Sequence, residues 1–222
     1  MSTLSPSFSC GAKYGSYIYA SASKFNALVK IDIKSGRTEY LLTFPDEEKM
    51  IKNQHCKAYV YGEELFYFPA FGKCIHIYNH VTGVVMSIEL DRSSYKNEYY
   101  SILCDKSAVL IPKKPDGDIL KFDFSSRLIS TLINWAQLKK YISEDCFHTF
   151  LRMVGVANTI YLPIYDSNKI LVIDLNTLTI EERKVKVDKL LGVFGGENEL
   201  FLLSNNCSDI YKWNPSDNEI YK

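Results

Sequence analysis

The sequence has no surplus of charge of either sign: 26 Lys and Arg balance 26 Asp and Glu over 222 residues. That balance argues against a protein that grips nucleic acid by bulk electrostatics. It also lacks any run of about 18 apolar residues, so no membrane-spanning helix is expected. Its start, Met1-Ser2-Thr3-Leu4-Ser5-Pro6 and onward, has neither a basic nor an apolar segment, so neither a secretory signal nor a lipoprotein role for Cys10 is expected. The cysteines, Cys10, Cys56, Cys74, Cys104, Cys146 and Cys207, form no CxxC pair and fit no zinc template. They are expected to be reduced, mostly buried thiols in a cytoplasmic protein. A nucleophile elbow, a phosphate loop, HExxH and a dinucleotide fingerprint are missing too. No cofactor and no metal site are therefore expected. What the chain does have is core material: 46% hydrophobic residues, with 16 Tyr and 12 Phe, which excludes intrinsic disorder.

That material is arranged periodically. The segments Leu28-Val29-Lys30-Ile31-Asp32, Ile75-His76-Ile77-Tyr78-Asn79, Ile119-Leu120-Lys121-Phe122-Asp123, Ile170-Leu171-Val172-Ile173-Asp174 and Ile210-Tyr211-Lys212-Trp213-Asn214 repeat one pattern. Their closing acid or amide positions, 32, 79, 123, 174 and 214, are 47, 44, 51 and 40 residues apart. A second anchor moves with the first, ten or eleven residues upstream: apolar runs ending at Ser21, Pro69, Pro112, Pro163 and Ser204. Two anchors at a period of about 40–50 residues, with β-branched and aromatic runs between turn residues, are the signature of four-stranded propeller blades. The expected fold is an all-β propeller of about five blades, in segments 6–44, 55–90, 98–133, 147–187 and 189–222, forming one domain. The last blade has only Ile220-Tyr221-Lys222 for its outer strand and is expected to be thin. Stacked blades bury two apolar faces each, which explains strands such as Leu200-Phe201-Leu202-Leu203. One helix is expected near 135–142, where Asn134-Trp135-Ala136-Gln137 reads as a cap with Gln at the third helical position.

The stretch Lys169-Ile170-Leu171-Val172-Ile173-Asp174-Leu175-Asn176-Thr177 resembles the third strand of YVTN-type and WD40-like bacterial propellers. Trp213-Asn214, Tyr78-Asn79 and Phe122-Asp123 stand where WD40 repeats carry Trp-Asp. The Gly-His pair of WD40 repeats and the double glycine of kelch repeats are absent. The resemblance implies the fold; relatives of this kind include seven-bladed lactonase-type enzymes, whose catalytic residues match nothing here.

In such a fold the loops after each second and fourth strand share a face. Phe25, Phe71, Tyr165 and Asn205 fall in those loops and are expected to offer a polar surface with aromatic platforms. The alternative for each is ordinary solvated turn chemistry. His55 and His148 precede first strands, with Lys57 and Arg152 near them, and are expected near a channel mouth, where they would bind an anion or sugar or simply hold water. As a metal site, two histidines lack a visible third ligand. Asp32, Asp123 and Asp174 read as turn residues, Asp46-Glu47-Glu48 as a solvated loop, and His76 and His80 as surface residues. The expected function is non-catalytic binding of a protein, peptide or glycan, without nucleic acid or membrane. The alternatives are a lactonase-, lyase- or sugar-modifying enzyme, and a partial propeller completed by self-association into a homo-oligomer.

Overall fold

A computed structural model describes residues 7–90, 99–104, 106–113, 117–142, 150, 152–196, 199–206 and 208–222. They form five four-stranded antiparallel sheets, each in the order of the chain. The first sheet is β1 (Phe8–Tyr14), β2 (Tyr17–Ala22), β3 (Leu28–Asp32) and β4 (Thr38–Leu42). The second is β5 (His55–Tyr61), β6 (Glu64–Pro69), β7 (Cys74–Asn79) and β8 (Val85–Glu89). The third is β9 (Tyr99–Cys104), β10 (Ser107–Pro112), β11 (Ile119–Asp123) and β12 (Ile129–Ile133). After the helix α1 (Trp135–Leu138) and a 3₁₀ turn at Lys139–Tyr141 comes the fourth: β13 (Val154–Val156), β14 (Thr159–Pro163), β15 (Lys169–Asp174) and β16 (Ile180–Lys184). The fifth is β17 (Leu190–Gly195), β18 (Leu200–Ser204), β19 (Ile210–Asn214) and β20 (Glu219–Tyr221). The chain is an all-β propeller of five blades. The last is complete in strand number but thin, its outer strand reaching three residues. The capping box expected at Asn134 is present in both directions, Asn134 with Gln137.

The repeated acid or amide works in the turn, as its position requires. Asp32 Oδ1 accepts from the Ser35 backbone N–H, Asn79 Oδ1 from Thr82, Asp123 Oδ1 from Ser126, Asp174 Oδ1 from Thr177, and Asn214 Oδ1 from Ser216. These are Asx turns, which the short polar side chains of Asp and Asn close locally. Those hydrogen bonds hold the Asp32 and Asp174 carboxyls below the usual value and bring Asp123 to about 2. Four residues after each anchor the backbone turns left-handed: Gly36, Gly83, Arg127, Leu178 and Asn218 all have φ between 56° and 72°. Only the first two have the residue that adopts this conformation without strain.

Two compact units divide the chain, Met1–Ser101 and Ile102–Lys222. In the first, a core of Ala12, Tyr19, Leu28, Phe44, Leu65, Tyr67 and Tyr78 lies between the first two sheets. In the second, aliphatic side chains dominate, among them Ile111, Ile160, Leu171 and Ile173, with Leu190, Val193, Leu202 and Trp213 in a further cluster. Trp213 meets Tyr161 edge-on, ring centroids 5.4 Å apart. Large aromatics thus fill the wide gaps between twisted sheets, each burying roughly 150–250 Å².

Candidate functional site

In the first unit three loops are stitched into one face by backbone hydrogen bonds. Asn53 N–H donates to Ser23 O, Asn26 N–H to Lys49 O, and Ala70 and Gly72 N–H both donate to Gln54 O. The loop after β2, the long connection from β4 to β5 and the loop after β6 therefore share a side, as the sequence pattern required. The buried Asn26 fixes the connection: its amide pairs with both backbone groups of Phe44, Nδ2 to O at 2.8 Å and Oδ1 from N at 3.0 Å. A cleft of about 750 Å³ opens on this face, lined by Glu47, Glu48, Ile51, Lys52, Asn53, Phe71, Lys73 and Glu89. Phe71 lines it; Phe25, on the neighbouring loop, is equally exposed, both at 47%.

Beneath the face lies a chain of buried polar groups. Ser21 Oγ is 2.8 Å from His55 Nδ1, His55 Nε2 is 2.8 Å from His76 Nδ1, and His76 Nε2 is 2.9 Å from Pro45 O. A carbonyl only accepts, so His76 carries its proton on Nε2. Its Nδ1 then accepts from His55 Nε2–H, and His55 Nδ1 accepts from the Ser21 hydroxyl. Every ring nitrogen is thereby satisfied in one direction, which is what burial demands. Burial, with His76 alongside, pushes His55 well below the usual imidazole value. Burial also brings His76 down to about 4, against the pull of the Pro45 carbonyl and Asp46. Both rings are neutral at pH 7. Phe44 closes over the pair, 4.6 Å from His55 and 4.8 Å from His76 between ring centroids.

These positions revise two expectations. His76, read as a surface residue, is fully buried: in the register of β6 with β7 it sits opposite Tyr67, on the core face. Glu47, read as part of a solvated loop, is half-buried, and its Oε1 accepts from the backbone N–H groups of Lys73 and Cys74. The loop folds back on β7 because those donors start a strand and need an acceptor. His80 is half-buried against Tyr14, centroids 3.8 Å apart.

His55, expected at a channel mouth, lies in the interior, while Lys57, past a bulge in β5, is exposed. His148 falls outside the described residues. In the second unit Tyr165 and Asn205 meet, Nδ2 donating to the phenol oxygen at 3.4 Å. Arg152 is exposed, and its carbonyl accepts from Val193 N–H. Sequence reasoning missed Ser21, His76, Glu47 and Cys74. A register argument could have found His76: His55 pairs with Pro69 and His76 with Tyr67, two positions of the same parity on β6.

No family model matches the chain, and no curated protein matches it. Among solved structures it is similar to one described as the structure of YjhT, at 15% identity and a TM-score of 0.61, covering 99% of this chain and 84% of that one. It is similar to a chain of a nidogen/laminin complex, at 6% identity and a TM-score of 0.63, covering 98% and 79%. It is also similar to the extracellular domain of the putative hybrid two component system BT4673 of B. thetaiotaomicron, at 13% identity and a TM-score of 0.68, covering 100% of this chain and 28% of that one. At these identities the likeness concerns the fold alone.

Proposed function

We propose that the protein is a non-catalytic binding propeller of the YVTN/WD40-like kind, and that the loop face of its first unit takes a peptide, protein segment or glycan. The observation that carries this reading is the cleft itself. It sets the aromatic ring of Phe71 among carboxylates and ammonium groups, on three loops tied together by backbone hydrogen bonds. Such a surface offers hydrogen bonds and a stacking platform at little ordering cost. Among the described residues of this unit, a constellation that suits acid–base chemistry, Ser21 with His55 and His76, is sealed beneath that face, and its hydrogen-bonding capacity at the rings is spent internally. An enzyme would need it open to substrate.

The test is to probe arrays of peptides and of glycans with the native chain, then with Phe71→Ala and Lys52→Glu. A hit weakened at least about tenfold by either variant, with an unchanged unfolding midpoint, is the expected result. Hits indifferent to both variants, or chemical turnover of a bound ligand, would overturn the reading.

A further inference from the structure

Among the described residues, one trio of metal-ligating side chains converges: a carboxylate oxygen of Glu47, the sulfur of Cys74 and a ring nitrogen of His76 all lie within 4.8 Å of one another. We infer that Glu47, Cys74 and His76 form a binding site for a divalent transition-metal ion of the zinc type. The donor set is what such an ion selects, thiolate and imidazole with one carboxylate. Bonds of about 2.0–2.3 Å place tetrahedral ligand atoms roughly 3.5 Å apart, so the trio needs to close by only about 1 Å.

The placement of each ligand is built in. Cys74 and His76 alternate along β7 and share its face, so their spacing is set by the strand. Glu47 reaches them from another element, and its Oε1 is already tied to the Lys73 and Cys74 backbone N–H groups. Gly72 makes the room: a Cβ there would lie 2.9 Å from Glu47 Oε1 and 2.9 Å from the Gln54 Cγ. Gln54 adds an independent sign of a polar ligand. Its amide is wholly buried, and neither Nε2 nor Oε1 has a hydrogen-bond partner. Buried amides left this way are rare and costly, and a metal-bound water beside Glu47 would give this one a hydrogen-bond partner.

His76 Nε2 faces the Pro45–Glu47 segment and is the nitrogen positioned to ligate. When it does, the ring proton moves to Nδ1 and donates to His55 Nε2, and His55 Nδ1–H then donates to Ser21 Oγ. The part of the chain through His55 and Ser21 reverses, while the Pro45 carbonyl gives up its hydrogen bond from Nε2 to the ion, so His55 becomes the outer partner that orients the ligating ring. Binding releases the thiol proton of Cys74 to solvent. The thiolate and carboxylate together cancel the charge of the ion, so no net charge is buried. The ion would pin the β4–β5 connection to β7 at the floor of the cleft, which Glu47 and Lys73 line.

The experiment is to titrate the reduced native chain with Co²⁺ and follow thiolate-to-cobalt charge-transfer absorption, then to add Zn²⁺. The expected result is a band that saturates near one equivalent and is bleached by zinc. Glu47→Gln should weaken cobalt binding at least about tenfold, and Cys74→Ser should abolish the band in a chain whose circular dichroism is unchanged. Absence of the band in the native chain, or a band equally strong in both variants, overturns the proposal. If Cys74→Ser does not fold, Glu47→Gln decides alone, and unchanged cobalt affinity in it overturns the proposal.

Discussion

Blade two and the blades of the second unit solve one packing problem with different chemistry. His55 opens β5 opposite Pro69, just before a bulge; Leu190 opens β17 opposite Ser204, just before the same kind of bulge. Counting back three from the turn anchor, His76 stands where blade four has Leu171. All four side chains are buried. At these two places the second unit has the aliphatic Leu190 and Leu171, which need no hydrogen-bond partners. The first unit fills them with two imidazoles, a serine and a carbonyl in sequence. Apolar packing is the cheaper way to stabilise a blade, so the polar chain adds specificity or function at a cost in desolvation.

Breaking that chain on one side should have the largest effect. His55→Ala leaves a cavity and strands both Ser21 and His76, and should destabilise the protein by about 4 kcal/mol in urea unfolding. The double change His55→Leu with His76→Leu imitates the second unit, and should cost clearly less than the sum of the two single leucine variants. A strictly additive cycle would mean the two rings do not act as a pair.

Acid should separate the two kinds of packing next. An unfolded His76 protonates below its ordinary pKa of 6.5, while the folded ring resists down to about 4. The unfolded state thus binds more protons across that window, so stability is retained above it and falls as pH drops through it. The loss is about 1.4 kcal/mol per pH unit for each histidine. His55, held below the ordinary value by burial, acts in the same direction. The double leucine variant should lose this slope, and a slope that persists in it would assign the acid sensitivity elsewhere. The Asp123 turn, with its carboxyl at about 2, contributes only at lower pH.

Smaller changes test the frame around the pair. Asn26→Ala removes both hydrogen bonds to the Phe44 backbone and should cost about 2 kcal/mol, read by the same unfolding curves. Gly83→Ala should cost about 1 kcal/mol, as a pure backbone effect, because a Cβ there meets nothing within 4 Å. The matching change in the second unit, Leu178→Gly, should stabilise by a few tenths of a kcal/mol, since it relieves a left-handed leucine at the expense of chain entropy. Equal signs for these two variants would refute the shared turn geometry.

The blades were legible because their signals are local. A period of two along each strand, an Asx residue at each turn and a paired cap at Asn134 act over a few residues, and each survives in the structure. The loop face of the first unit was legible for the same reason, since strand order dictates which loops share a side. His55 was visible as a candidate but misplaced, and Glu47 and His76 were dismissed as surface. Their burial depends on Phe44, Asn26 and the fold-back of the β4–β5 connection, contacts across 18 to 31 residues that no spacing rule encodes.

By itself the sequence determined five blades, their turns and one capped helix, because hydrogen-bond geometry and apolar alternation are properties of short segments. Tertiary structure decided which polar side chains leave water. Desolvation is set by neighbours from other strands, and it turned a histidine expected on the surface into the neutral centre of a buried relay. The same packing carried a loop glutamate onto β7 beside Cys74, where three residues that look unrelated in the chain become one donor set.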